Sequence, residues 1–310
     1  MEHRPLGHSG ISVSALSLGS WMTYESMEEK DALAVMQAGL DAGIDFLDDA
    51  RYNDRTGKAP LKTGYSEVLF GKLFRQTGRH RADVVIGNKL WFEFYPAESI
   101  ETELDGSLSR IGIEYLDIVY CDVRPASLPL VEMIGTLDRL ITSGKLRAWG
   151  VLNWTAESID EAIRQANANG LRPPAAAQLA YSALTRSPVE DTAAHEAFER
   201  GVGVVASYSL LGGLLSGKYN SGAAAEGRLA GELASPRVQP LLPRIDAFLT
   251  VARELRCTPS QLAIAYCLKN PQVTSVLFGS KQVTQVRENV RALEVVGRLD
   301  DEVMGALRRL

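Results

Sequence analysis

Cysteine is scarce in this chain of 310 residues. There are three, Cys121, Cys257 and Cys267, an odd number without a CxxC pair. That argues against a disulfide framework or a cysteine-based metal site and fits a reduced, cytoplasmic protein. The four histidines (His3, His8, His80, His195) are too scattered for a His-rich metal centre. Long hydrophobic runs are also missing. None approaches the ~18 residues of a membrane span, and the N-terminus MEHRPLGHSG is polar. No block of basic charge stands out, and 33 Lys and Arg against 38 Asp and Glu leave a mild net charge of −5. Nucleic acid and anionic membrane are therefore not expected partners. No Pro-, Gly- or Ser-rich linker divides the chain, so residues 1–310 read as one domain. A hydrophobic share of 45% and a charged share of 23% are those of an ordinary globular protein.

What the chain does have is alternation. Short apolar runs, the strand candidates, lie at Ala15–Leu18, Phe46–Asp48, Val84–Asn88, Ile118–Asp122, Ala148–Leu152, Ala176–Leu179, Val204–Ser207 and Ser275–Phe278. Between them lie runs with helical period: Glu28–Ala42, Ile100–Ile111, Pro129–Thr142, Ser158–Ala168, Thr192–Arg200 and Thr258–Lys269. The last starts with Thr258 as N-cap, Pro259 at the first helical position and Gln261 at the capping-box site. Eight strand–helix repeats predict an α/β fold, a closed parallel (β/α)₈ TIM barrel. A doubly wound open sheet is the alternative, weakened because no GxGxxG follows the first strand. Two segments stand outside the repeat. Arg4–Gly19 reads as an N-terminal β-hairpin turning at His8-Ser9-Gly10, placed to cover the bottom of a barrel. Leu210–Pro240 is a long Gly- and Ala-rich loop, of the kind that is either functional or disordered.

Chemistry concentrates at the ends of the early strands. In Gly43–Tyr65 (GIDFLDDARYNDRTGKAPLKTGY) an apolar run ends in Asp48 and Asp49, and Tyr52 follows closely. The next run, VVIGNKLWF, carries Lys89. A buried Lys⁺ beside a phenol stabilises the phenolate, an Asp keeps the Lys charged, and the phenol can then protonate a carbonyl oxygen as hydride arrives. Taken singly, each residue also has a plain reading: a turn cap, a half-buried aromatic, a solvated strand end.

The chain resembles the aldo-keto reductase superfamily over essentially its full length, with a closer likeness to the bacterial branch related to potassium-channel β subunits. GIDFLDDA and VVIGNKLW are similar to that family's second and third strand motifs. YLDIVYCDVRP (Tyr115–Pro125) and GKLRAWGVLNW (Gly144–Trp154) are similar to the fourth and fifth. GVGVVASYSLLGGLLSGKY (Gly201–Tyr219) and VLFGSKQVTQVRENVRALE (Val276–Glu294) complete the set, six motifs in order. The resemblance implies a barrel with its site at the carboxyl ends of the strands, a small-molecule substrate, and an extended nicotinamide cofactor, NADPH. Asp48 and Lys89 then fill two places of an Asp-Tyr-Lys-His tetrad. Tyr52 is the candidate acid, one residue closer to Asp48 than the family spacing and followed by an insertion, Asp54–Gly64, before Ser66-Glu67. Tyr65 is the other candidate.

The resemblance also implies the cofactor contacts. Tyr208 would stack on the nicotinamide, and Asn153 and Gln178 would clamp its carboxamide. The run Ser209–Lys218, with Leu210, Gly212 and Leu214, would cradle the pyrophosphate, with Lys218 supplying charge. Ser280 and Lys281 would bind the adenosine 2′-phosphate with Gln285 alongside, and Glu288 and Asn289 would reach the adenine. Leu152 replaces the family's usual Ser. Trp21, Trp91 and Trp154 would help wall the substrate pocket.

Where the family has His at the end of strand 4, this chain has Asp122. An ionised Asp there repels a developing alkoxide but pairs with an iminium, whereas a protonated Asp donates a hydrogen bond to an enone oxygen. The expected activity is therefore reduction of a polarised C=O, C=N or conjugated C=C. If Asp122 is drift, the alternative is a catalytically weak, cofactor-binding accessory subunit.

Overall fold

Runs rich in Val, Ile, Leu and Ala, buried on both faces, form the parallel strands of a closed barrel with helices outside. The computed structural model describes residues 1–220 and 229–310. Two strands, β1 (His3–Pro5) and β2 (Ser12–Ser14), form an antiparallel hairpin. The barrel strands are β3 (Leu16–Gly19), β4 (Phe46–Asp48), β5 (Val85–Leu90), β6 (Leu116–Cys121), β7 (Leu146–Leu152), β8 (Ala176–Ala180), β9 (Gly203–Ser207) and β10 (Val273–Phe278). They follow one another in sequence order, and β10 closes against β3. Every neighbouring pair in the barrel is parallel. The expected (β/α)₈ barrel is therefore found, and the open doubly wound sheet is excluded.

The early helices are α1 (Glu29–Asp41), α2 (Tyr65–Gln76), α3 (Ile100–Ile111), α4 (Leu130–Thr142) and α5 (Ala156–Ala168). Two short helices follow β8, α6 (Ser187–Glu190) and α7 (Thr192–Glu199). The last are α8 (Leu242–Glu254), α9 (Pro259–Lys269), α10 (Val283–Val290), α11 (Leu293–Val296) and α12 (Asp301–Arg308). The capping box expected at Thr258 and Gln261 is present at the start of α9. Among the described residues, no helix is long and apolar enough to cross a membrane.

The N-terminal hairpin is shorter than expected. It ends at Ser14, and Leu16–Gly19 is the first barrel strand, one residue on from the expected Ala15–Leu18, because its backbone pairs with β10 on one edge and β4 on the other. The hairpin and its turn do plug the bottom of the barrel. Leu6, Ile11 and Val13 pack in one apolar cluster with Phe46, Ile118, Tyr120 and Val205. Gly7 in the hairpin turn has φ +54°, and a Cβ there would lie 2.0 Å from the Ala175 carbonyl oxygen. With that end plugged, the opposite end is left for chemistry. In the expected loop Leu210–Pro240, Leu211–Ser216 is a tight turn kinked at Gly212 and Gly213, and residues 221–228 lie outside the described residues.

Candidate active site

Asp48 is the last residue of β4 and Lys89 the last but one of β5, so parallel register brings them to the same end of the barrel. Both are buried. Lys89 Nζ donates to Asp48 Oδ1 and to Oδ2, each at 2.6 Å, and more weakly to the Asp49 carbonyl at 3.3 Å. Gln178 Nε2, from β8 across the barrel, donates to Asp48 Oδ1 at 3.0 Å. A buried ion pair holds only when its remaining hydrogen-bonding capacity is met, and here much of it is. The Tyr120 ring of β6 lies beneath the ammonium, 5.3 Å from Nζ to the centroid.

Tyr52 follows β4, half-buried. Its ring lies 6.4 Å from Trp21, which follows β3, and 6.4 Å from Trp91, which follows β5. The insertion after it leaves and returns at the same place. Asn53 bridges Thr63, the Asp54 N–H donates to the Lys62 carbonyl, and the Gly64 N–H donates to the Tyr52 carbonyl at 2.9 Å. Ser66 Oγ then accepts from the Tyr52 N–H at 3.1 Å and donates to the Ala50 carbonyl at 2.6 Å. The buried Arg51 ties the same segment to its neighbours. It bonds Thr63 Oγ1 at 2.9 Å, Glu93 at 2.9 Å and Glu103 at 2.7 Å. Tyr65, the other candidate, opens α2 and packs against the apolar layer between strands and helices.

Asp122 lies one residue beyond β6, half-buried. Its backbone is fixed, the N–H donating to the Leu90 carbonyl at 3.1 Å and the carbonyl accepting from Trp154 Nε1 at 3.0 Å. Among the described residues its carboxylate accepts no hydrogen bond. Burial, then the charge of Asp122, push the Cys121 thiol up, so it is no nucleophile at neutral pH. Asp49, by contrast, turns out of the barrel. Ser20 Oγ donates to its Oδ1, and its Oδ2 has no partner among the described residues. Burial, then the charge of Glu67, hold this carboxyl well above the usual range.

The later strands supply a second wall. Asn153, just past β7, has φ +52°; its Oδ1 accepts from the Ala180 N–H at 3.2 Å, and its own N–H donates to the Gln178 carbonyl at 2.9 Å. Tyr208, just past β9, has φ +59° and is half-buried. Ser209 is buried, with Oγ donating to the Leu277 carbonyl at 3.4 Å. The chain then turns tightly. The Gly213 and Leu215 N–H groups both donate to the Leu210 carbonyl, and Gly212 and Gly213 take φ +67° and +95°. Leu214 is buried beneath the turn, and Lys218 is exposed, with Nζ 4.8 Å from the Tyr219 ring centroid.

Beyond β10, Ser280 is buried and its Oγ has no partner among the described residues. The exposed Lys281 is next, and its N–H donates to Gln285 Oε1 at 2.8 Å, so that backbone donor is already used. The Glu288 carbonyl accepts from Gln261 Nε2 at 3.1 Å, and Asn289 is buried. An orphaned buried hydroxyl beside a lysine and the start of α10 is what an anionic group would satisfy. The residues present therefore fit a phosphate group. Among the described residues, no cluster of His, Cys, Asp and Glu is suited to a metal ion.

Sequence reasoning left three roles unassigned: Ser66 as the clip on Tyr52, Gln178 as a partner of Asp48, and Tyr120 beneath Lys89. Tyr120 had one signal. Ile118, Tyr120 and Asp122 alternate along β6, which puts Tyr120 on the inward face.

The sequence profile of the Aldo/keto reductase family matches residues 15–310. Two similar proteins both bear the name "Probable voltage-gated potassium channel subunit beta". One, from Oryza sativa subsp. japonica, is 34% identical over 98% of this chain and 94% of its own length. The other, from Arabidopsis thaliana, is 31% identical over 100% of this chain and 96% of its own length. With the barrel, the ordered strand motifs and these matches in agreement, the chain belongs to the aldo/keto reductase family.

Proposed function

We propose that the protein is an NADPH-dependent reductase of a small molecule bearing a polarised C=O, C=N or conjugated C=C. The observation that carries this reading is the buried Asp48–Lys89 pair at the carboxyl ends of β4 and β5, with Tyr52 on the loop that follows β4, its ring between two tryptophans. NADPH, when bound, supplies the hydride. Tyr208, Asn153 and Gln178 hold the nicotinamide end, the Ser209–Lys218 turn the pyrophosphate, and Ser280 and Lys281 the 2′-phosphate. Tyr52 gives its phenolic proton to the substrate atom that gains charge. The Lys89 ammonium, fixed by both oxygens of Asp48, favours the phenolate left behind, which regains its proton from water. Asp122 selects substrate. As a carboxylate it pairs with an iminium; as an acid it donates to an enone oxygen.

A second reading, a cofactor-binding accessory subunit with little turnover, is favoured by the channel-subunit names of the similar proteins. Single-turnover oxidation of bound NADPH by an aldehyde, a cyclic imine and an enone separates the two. The reductase reading expects turnover with one class at least. Tyr52→Phe should slow it by about 10²-fold or more, the scale for losing a general acid, while Tyr65→Phe leaves it intact. Asp122→Asn should harm mainly the imine. Tight NADPH binding with no turnover by any of the three would favour the accessory reading.

A further inference from the structure

We propose that Tyr120 is a positioning residue for Lys89: its buried ring carries the ammonium on its face and keeps that charge at the Asp48 end of the site. The three hydrogen bonds of the ammonium all reach toward the end of β4, namely both oxygens of Asp48 and the Asp49 carbonyl. The opposite side is met by the ring of Tyr120, its register partner on β6, with 5.3 Å between Nζ and the centroid. Within about 6 Å of a ring face a cation is attracted by the ring quadrupole, and more strongly where water is excluded. Tyr120 is wholly buried.

The neighbouring strands make room for this ring. Gly150 pairs with Tyr120 on β7, and a Cβ there would lie 3.1 Å from the ring and 2.3 Å from the Ala176 carbonyl oxygen. On β5, a Cβ at Gly87 would lie 3.4 Å from the ring and 3.3 Å from Asp48 Oδ1. Two glycines flank one tyrosine, so the ring's place is determined by its neighbours. The hydroxyl has no partner among the described residues. A buried hydroxyl without a bond contributes no stability, which leaves the ring as the part in use. Burial, then the charge of Asp48, also push the phenol well up, so Tyr120 is no rival proton donor.

The test uses the full-length protein with Tyr120→Phe, then with phenylalanines at 120 carrying one, two or three ring fluorines. Fluorination weakens the face of the ring at nearly constant volume, so folding is preserved where Tyr120→Leu could disrupt the barrel. Around Lys89 the ionisable groups are Asp48 from β4, Asp49 just beyond it, and Tyr120 from β6. Asp122 lies just beyond β6, and Arg55 stacks 5.9 Å from Trp21 beside Tyr52. None of these is altered by the fluorines except through the ring. The first readout is the alkaline limb of the single-turnover pH profile, which rests on the reading of Tyr52 as a donor tuned by Lys89. Tyr120→Phe should leave the limb in place, and successive fluorines should move it up, by about half a unit to one and a half units in all. The second readout needs no turnover. The Lys89 ammonium resonance, assigned through Lys89→Met in protein labelled at lysine, should keep its ring-current shift in Tyr120→Phe and move progressively with fluorine. An ammonium resonance indifferent to fluorination would overturn the proposal, as would a displacement in Tyr120→Phe as large as with three fluorines. A resonance that responds as expected in a protein with no turnover would sink the reductase reading and leave the placement of Lys89 standing.

Discussion

Asp48 and Asp49 are neighbours in the chain and opposites in the fold, because successive side chains of a strand face opposite sides. Asp48 meets Lys89 inside the barrel, whereas Asp49 meets the Ser20 hydroxyl and the charge of Glu67 outside it, with no cation among the described groups that move its pKa. Its folded pKa is raised above the unfolded value, so the sign is fixed. The neutral carboxyl is tolerated at low pH, and stability is lost as pH rises through the folded pKa. Asp49→Asn keeps the shape and removes the titration. Urea unfolding should find the variant's advantage over the parent smallest near pH 4, about the pKa of the unfolded carboxyl, and larger at pH 9 by roughly 1–3 kcal/mol, the scale of desolvating an unmatched polar or charged group. A gap that does not widen between those pH values would show that Asp49 finds a partner for its charge. At this scale the sequence was legible where a charge ends an apolar run, as at Asp48 and Lys89. It was not legible where the partner comes from another strand, as Gln178 does for Asp48 and Tyr120 for Lys89.

At the scale of elements, the strands emerged within one or two residues of their expected bounds, because runs buried on both faces are continuous and short. Of the helices that match none of the expected helical runs, α2 and α8 are the longest. In α2 the period is interrupted by Gly71, and the insertion before it hides the start. That glycine is where α2 crosses the end of α3, since a Cβ would lie 1.9 Å from the Ile111 carbonyl oxygen. Gly71→Ala improves local helix propensity by up to about 1 kcal/mol and yet should destabilise the protein, because backbone cannot yield as a side chain can. The expected net loss is about 1–3 kcal/mol by chemical denaturation. The Tyr52 segment hangs from the N-terminus of α2 through Ser66, so turnover should fall along with stability. A variant as stable as the parent would show that the helix crossing can open at no cost. The insertion itself teaches the converse lesson. Its length is plain in the sequence, but its hydrogen-bonded return to the Tyr52 carbonyl is visible only in the fold.

For the whole molecule, alternation of strands and helices made the barrel legible, but closure of β10 on β3 joins the two ends of the chain and lies beyond any local pattern. Closure matters because the two halves of the barrel hold different chemistry. The first strands carry Asp48, Tyr52, Lys89 and Asp122, while the residues proposed for the cofactor come from the ends of β7 to β10. A ligand that touches all of those later loops stabilises the native state in proportion to its occupancy, by about 2.7 kcal/mol at a hundredfold excess over Kd. If Ser280 and Lys281 receive a 2′-phosphate, NADPH should raise the unfolding temperature more than NADH at equal concentration. Calorimetric titration should then find at least about tenfold tighter binding, within the range of a charge-assisted hydrogen bond. Lys281→Ala should erase most of that difference and leave the NADH shift nearly unchanged, since NADH has an uncharged hydroxyl in place of that phosphate. Equal shifts for the two cofactors in the parent protein would remove the 2′-phosphate from the assignment. This measurement is independent of the first half of the barrel. A reductase and an accessory subunit would both pass it, so it tests the cofactor wall by itself and leaves Tyr52 and Asp122 to be judged by turnover.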